Sequence, residues 1–252
     1  MRFLLPTKMP QFDFQFQLLA SQDYWTNFKN NPLIIEYADG YVNFEQAYAH
    51  GKWNDYCPVG SIEFCNKHGI KTMPRNIPPQ LKDYACGLVL SSRDEMKDSI
   101  CYWHVKSTAQ IKHPKNGMYT NINDIPFEDG EFQAVEWLDD GFISEWRIFV
   151  FDGNIVDMQN YAGDLWTLPD KDAVECMIYA FEHSKGANVP PAYTLDVGVH
   201  LDNLSCNKTS VIEVHDFYSC GTYNFNDHYR LPSMLWAWWQ WYRASEAKKG
   251  QV

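Results

Sequence analysis

Residues 143–164 read ISEWRIFVFDGNIVDMQNYAGD, and residues 193–217 read YTLDVGVHLDNLSCNKTSVIEVHDF. From Glu145 to Phe151 the side chains alternate. Trp146, Ile148 and Val150 fall on one face, and Glu145, Arg147 and Phe149 on the other. Asp152-Gly153 is a two-residue hairpin signal, which makes Asn154 to Gln159 the return strand. A second hairpin follows. Leu195, Val197 and Val199 leave Asp196 on the opposite face, and Ile212 and Val214 leave Glu213 and His215 on theirs. If the two strands pair, Asp196, Glu213 and His215 converge on one sheet surface. Two carboxylates that close resist ionising together unless a cation lies between them. On rigid strands with apolar backs they suit a hard cation such as magnesium.

Composition narrows the classes. A chain of 252 residues is long enough for one large domain or two small ones with a sizeable core. Aromatic residues make up 16%, so nothing in the composition argues for disorder. The net charge of −11 speaks against a general nucleic-acid or anionic-membrane surface, which needs clustered Lys and Arg. The seven cysteines show neither CxxC pairs nor zinc spacing, and read as reduced thiols of a cytoplasmic protein. MRFLLPTKMP is broken by proline too early for a signal peptide, and LWAWWQWY is far short of a membrane span. The chain carries no P-loop, GxGxxG, GxSxG or HExxH motif.

The strand-turn-strand EWRIFVFDGNIVD (145–157), the TLDVGV strand (194–199) and VIEVHDFYSCGTY (211–223), with CPVGSIEFC (57–65) and YWHVKSTAQIK (102–112) upstream, occur in the order of a known family. Together they resemble the ATP-grasp superfamily, more narrowly the small R2K-clade proteins common in phages and bacteria. The resemblance implies an α+β fold in which two α/β lobes clasp a nucleotide, preceded by an N-terminal α/β module. The implied division is 1–85 for that module, about 86–140 for the small lobe and about 141–252 for the large lobe. The proline-rich MPRNIPPQL (73–81) marks the first boundary.

The resemblance also assigns roles. Lys106, at the end of a strand from Tyr102 to Val105, and Lys112 would stand near the phosphates of ATP as compact charges. Glu136 and the peptide groups of Trp137 and Leu138, in FQAVEWL, would meet the adenine edge. Glu145 would accept from the ribose hydroxyls, and Arg147 would clamp a phosphate or a substrate carboxylate. Asp196, Glu213 and His215 would hold Mg2+. The family ends its metal motif Glu-x-Asn, whereas this chain has Glu213-Val214-His215, with a softer ligand in third place. Lys112 and Arg147 are the catalytic candidates.

Three further stretches carry local structure. Ser61 is an N-cap for a helix with Glu63 in its first turn, and Leu33-Ile34-Ile35 is a strand ending near the Asp39-Gly40 turn. Asp170 to Lys185 has Val174, Met177, Ile178 and Phe181 at helical spacing. The tryptophan-rich SMLWAWWQWYRASEAKK would be a helix covering the large lobe or serving a homodimer contact, and SCGTYNF (219–225) a turn shaping the acceptor pocket. The activity implied is an ATP-dependent carboxylate–amine ligase working through an acyl phosphate on an amino acid, peptide or protein terminus. The alternatives are a nucleotide-binding module without catalysis and a structural protein that keeps only the fold.

Overall fold

The structure is a computed structural model that describes residues 1–6, 13–29, 32–38, 55–70, 76–96, 101–109, 113–137, 140–185, 188–202, 204–217 and 220–249. Three sheets form among them. The first is parallel, with β1 (Arg2–Pro6) between β2 (Ile34–Ala38) and β3 (Cys57–Pro58). Ser61 caps the helix Ile62–Lys67, its hydroxyl accepting from the Phe64 amide at 3.2 Å. The Asp39-Gly40 turn lies outside the described residues.

The second sheet is antiparallel in the order β4 (Val89–Leu90), β7 (Phe132–Glu136), β5 (Trp103–Ser107) and β6 (Gly117–Tyr119). It covers a small core built on Trp103, Val105, Phe132 and Ala134. The strand expected to end at Lys106 runs on to Ser107, so Lys106 sits inside β5.

The third sheet carries the decisive stretch. β8 (Ser144–Phe151) lies between β9 (Asn154–Gly163) and β10 (Ala192–Leu201), and β11 (Asn207–Asp216) flanks β10, all antiparallel. Asp152 and Gly153 both take positive φ, 47° and 72°, the twist that a two-residue hairpin needs. The return strand is longer than Asn154–Gln159. The helix Lys171–His183 starts at Asp170, whose carboxylate accepts from the Ala173 amide at 3.0 Å. Val174, Met177, Ile178 and Phe181 pack on Trp146, Ile148, Val150, Leu195 and Val197.

Two expectations are corrected. The core face of β11 is Val211 and Val214, not Ile212 and Val214. Asp196 pairs with Glu213 and Val197 with Val211, so Ile212 is an extra residue in a β-bulge and turns toward the cleft. A bulge breaks the period-two pattern from which the face was read. The C-terminal helix Leu231–Lys249 is not a cover on the large lobe alone. Trp238 and Trp239 join Phe3, Leu4 and Leu5 of β1 to Phe149 and Phe217 in one core. The stretch 76–85 also does more than divide modules. Asn76 bridges to Val214, Ala85 bridges to Val211, and Leu81 is buried under the third sheet.

Gly163 closes β9 at φ +73°, where an added Cβ would lie 2.1 Å from the Ile143 carbonyl oxygen. Gly130 has φ +87° with open space around it. Gly163→Ala should therefore cost about 3 kcal/mol and Gly130→Ala about 1 kcal/mol. Urea denaturation of both variants checks this. Equal losses would show that the Ile143 contact relaxes freely.

Candidate functional site

Register places the charges. Arg147 of β8 faces Gln159 on β9 and Asp196 on β10, and Asp196 faces Glu213 on β11. Directly opposed residues hold their Cβ atoms about 5 Å apart, so a single row crosses the sheet. His215 lies two positions beyond Glu213 on the same face. The row floors a cavity of about 420 Å³ whose other wall is the second sheet.

Each carboxylate in the row already has cationic partners. Arg147 Nε donates to Asp196 Oδ1 at 2.8 Å and Nη2 to Oδ2 at 2.7 Å, the bidentate fork that makes such pairs strong. Arg147 Nη1 donates to the Gly221 carbonyl at 2.8 Å. Lys106 reaches across from β5, its Nζ 2.6 Å from Glu213 Oε2. His215 Nε2 hydrogen-bonds Glu213 Oε1 and lies 3.3 Å from Asp196 Oδ2. Arg147 and Asp196 are only 4% and 2% exposed, which puts these interactions in a medium where charge counts heavily.

The titration shifts follow from that setting. Burial alone would raise the Asp196 pKa, but the Arg147 and His215 bonds outweigh it and hold the carboxyl below its ordinary value. Burial opposes ionisation of Glu213 too, and the Lys106 and His215 charges overcome it. For His215 burial favours the neutral ring, yet Glu213 and Asp196 on either side raise its pKa. With Nε2 given to Glu213, the imidazole stands among the carboxylates as a proton donor.

Around the row lie Tyr161, His104 and Phe142, which sequence reasoning missed, and Tyr223, from the turn expected to shape the acceptor pocket. The Tyr223 ring lies 4.8 Å from the Arg147 guanidinium carbon and stacks on Tyr161 at 5.1 Å. Tyr223 and Asn224 hold φ of 44° and 73°, a costly backbone that a packed site sustains. Burial, with Asp196 and Glu145 nearby, raises the Tyr161 pKa. Carrying the alternation of β9 past Gln159 would have found Tyr161. At the other end His104, Trp137 and Phe142 make an aromatic wall, with ring separations of 5.5 and 6.1 Å. Phe142 can lie on the sheet because Gly198 beneath it has no Cβ; one would sit 2.2 Å from the ring.

Lys106, Trp137, Glu145, Arg147, Asp196, Glu213 and His215 thus line one cavity. Glu136 is not part of that lining; its carboxylate accepts from the Leu88 amide at 3.3 Å. The Trp137 backbone N–H donates to the Tyr102 carbonyl at 2.8 Å. Glu145 and Arg147 do not pair with each other. Lys112 and Leu138 lie outside the described residues.

Residues 91–230, which carry nearly all of this lining, match the model of a protein family described as ATP-grasp domain, R2K clade family 2. The chain belongs to that family. A solved D-alanine–D-alanine ligase from Bacillus anthracis aligns over 98% of this chain and 99% of its own with a TM-score of 0.53 and 14% identity, a likeness of fold. A RimK domain ATP-grasp protein from Sphaerobacter thermophilus aligns over 94% of this chain and 96% of its own at 9% identity and a TM-score of 0.46. No curated protein sequence matches the chain. The architecture is the α+β ATP-grasp fold. Among the described residues no helix is long and apolar enough to cross a membrane.

A buried ion pair costs little to replace whole and much to halve. Asp196→Asn, which strands the Arg147 charge, should lose about 3 to 5 kcal/mol. The double variant Arg147→Met/Asp196→Leu should lose less than that. Chemical denaturation of wild type and the two variants decides, and a double variant that loses as much as Asp196→Asn or more would contradict this.

Proposed function

We propose that the protein is an ATP-dependent ligase that joins a carboxylate to an amine through an acyl phosphate. The observation that carries this reading is the row Arg147–Asp196–Glu213 facing Lys106 across a cavity between the lobes of an ATP-grasp domain. Its aromatic end at Trp137 and Phe142 suits a flat base. Glu145, lining the cavity from the start of β8, suits two vicinal hydroxyls. Lys106, Arg147 and Lys112 suit phosphate oxygens.

Asp196, Glu213 and His215 bring their ligand atoms within 4.8 Å of one another, a donor set that fits a divalent ion. Magnesium held there would neutralise charge on the β- and γ-phosphates. The chain's own residues do the rest. They hold the carboxylate oxygen in line with the γ-phosphorus and keep water out, so positioning and electrostatics supply the rate. A carboxylate oxygen bonds to phosphorus as the bond to the ADP oxygen breaks. The amine nitrogen then bonds to the acyl carbon, inorganic phosphate leaves, and the amine gives up a proton. No protein nucleophile is needed.

Mg-ATP should raise the melting temperature by mass action. Glu145→Gln should shrink that rise while leaving the melting temperature without ligand near wild type. ADP should accumulate catalytically only when an acid and an amine are both supplied. A melting shift without ADP would instead mark a nucleotide-binding module, and no shift at millimolar Mg-ATP would leave a structural protein.

A further inference from the structure

The four oxygens of Asp196 and Glu213 leave a bare divalent ion little to bind. Asp196 Oδ1 and Oδ2 each accept from Arg147, Glu213 Oε2 accepts from Lys106, and Glu213 Oε1 bonds to His215. The guanidinium and the ammonium already balance the two carboxylates. A metal arriving alone would have to push one of these cations off its partner.

The two are not equally held. Arg147 has the fork to Asp196, the Gly221 carbonyl and the Tyr223 ring, and is almost wholly buried. Moving it would leave a buried charge without compensation, which is severely unfavourable. Among the described residues Lys106 has one charged partner, Glu213; it comes from the second sheet across the cavity and is 20% exposed. Its flexible stem lets the ammonium swing without moving β5.

We infer that Lys106 is an internal counter-ion that keeps a divalent metal off Glu213 until a polyphosphate takes the ammonium over. A polyphosphate offers Lys106 new oxygens at the moment that Glu213 is released, so every charge stays paired through the exchange. Metal and nucleotide then bind with positive coupling, each raising the affinity for the other. The inference rests on the nucleotide-binding reading above.

Manganese titrated into the protein and followed by water-proton relaxation enhancement tests it, because this signal separates protein-bound ions from ions on free nucleotide. Wild type without nucleotide should bind manganese weakly, and addition of ADP should create a bound population. Lys106→Met, which keeps the stem, should bind manganese alone at least about tenfold more tightly than wild type. Lys106→Arg, which keeps the charge, should bind it as weakly as wild type. Lys106→Gln serves as a second neutral variant if the methionine protein does not fold. Equal manganese binding by wild type and the neutral variants, whether tight or absent, overturns the inference. Absence of ADP binding to wild type with and without metal overturns the nucleotide reading instead.

Discussion

A guanidinium and a carboxylate that face each other across neighbouring strands, almost out of reach of water, constrain everything around them. Neither Arg147 nor Asp196 can be left alone in that medium. Their pairing requires β8 and β10 to hold one register, and the side-chain period of two makes a one-residue slip of either strand turn its member of the pair out of the cleft. Gly221 must present its carbonyl to Nη1, which draws the segment after β11 over the row and sets Tyr223 on the guanidinium in a left-handed conformation. The bulge at Ile212 keeps Val211 in the core with Val214, while Glu213 faces the cleft. Buried ion pairs do little for net stability; what this one supplies is a fixed place for charge.

The two lobes meet through few but directional contacts. Lys106 and Glu213 join the second sheet to the third. The Gln133 side chain exchanges both hydrogen bonds of its amide with the backbone of Ile77, each at 2.8 Å, and Asn76 gives its carbonyl to the Val214 amide at 3.1 Å. The strap at 76–85 therefore touches the cleft from both sides. The N-terminal sheet is tied to the third sheet differently, through an apolar core in which Trp238 and Trp239 are shared. Close-packed interiors transmit strain, so the cleft is backed by a stiff body on one side and faced by a lighter lobe on the other.

Much of this was legible in the sequence because it is local. The Asp152-Gly153 hairpin, the Ser61 cap and the spacing of Val174, Met177, Ile178 and Phe181 each depend on residues within a few positions. The convergence of Asp196, Glu213 and His215 followed from two adjacent strands and one turn. What could not be read depends on non-local register. Nothing near Arg147 says that Asp196, 49 residues on, will be its partner, and nothing near Glu213 points to Lys106, 107 residues back. The repulsion between the two carboxylates was visible; the cations that relieve it were not. The tryptophans of the C-terminal helix were apolar enough to announce a core but not which core. Tyr161 escaped because it lay past the assumed end of a strand, and the turn at 219–225 was read as a whole because no residue preference announces the left-handed backbone of Tyr223.

The account stands most directly on where a nucleotide places its phosphates. A crystal structure of the protein with magnesium and a non-hydrolysable ATP analogue measures it. The predicted result has the base against Trp137 and Phe142, the triphosphate above the Arg147–Asp196–Glu213 row, and the Lys106 ammonium on a phosphate oxygen instead of on Glu213. A nucleotide bound elsewhere, with Lys106 still paired to Glu213, would contradict it.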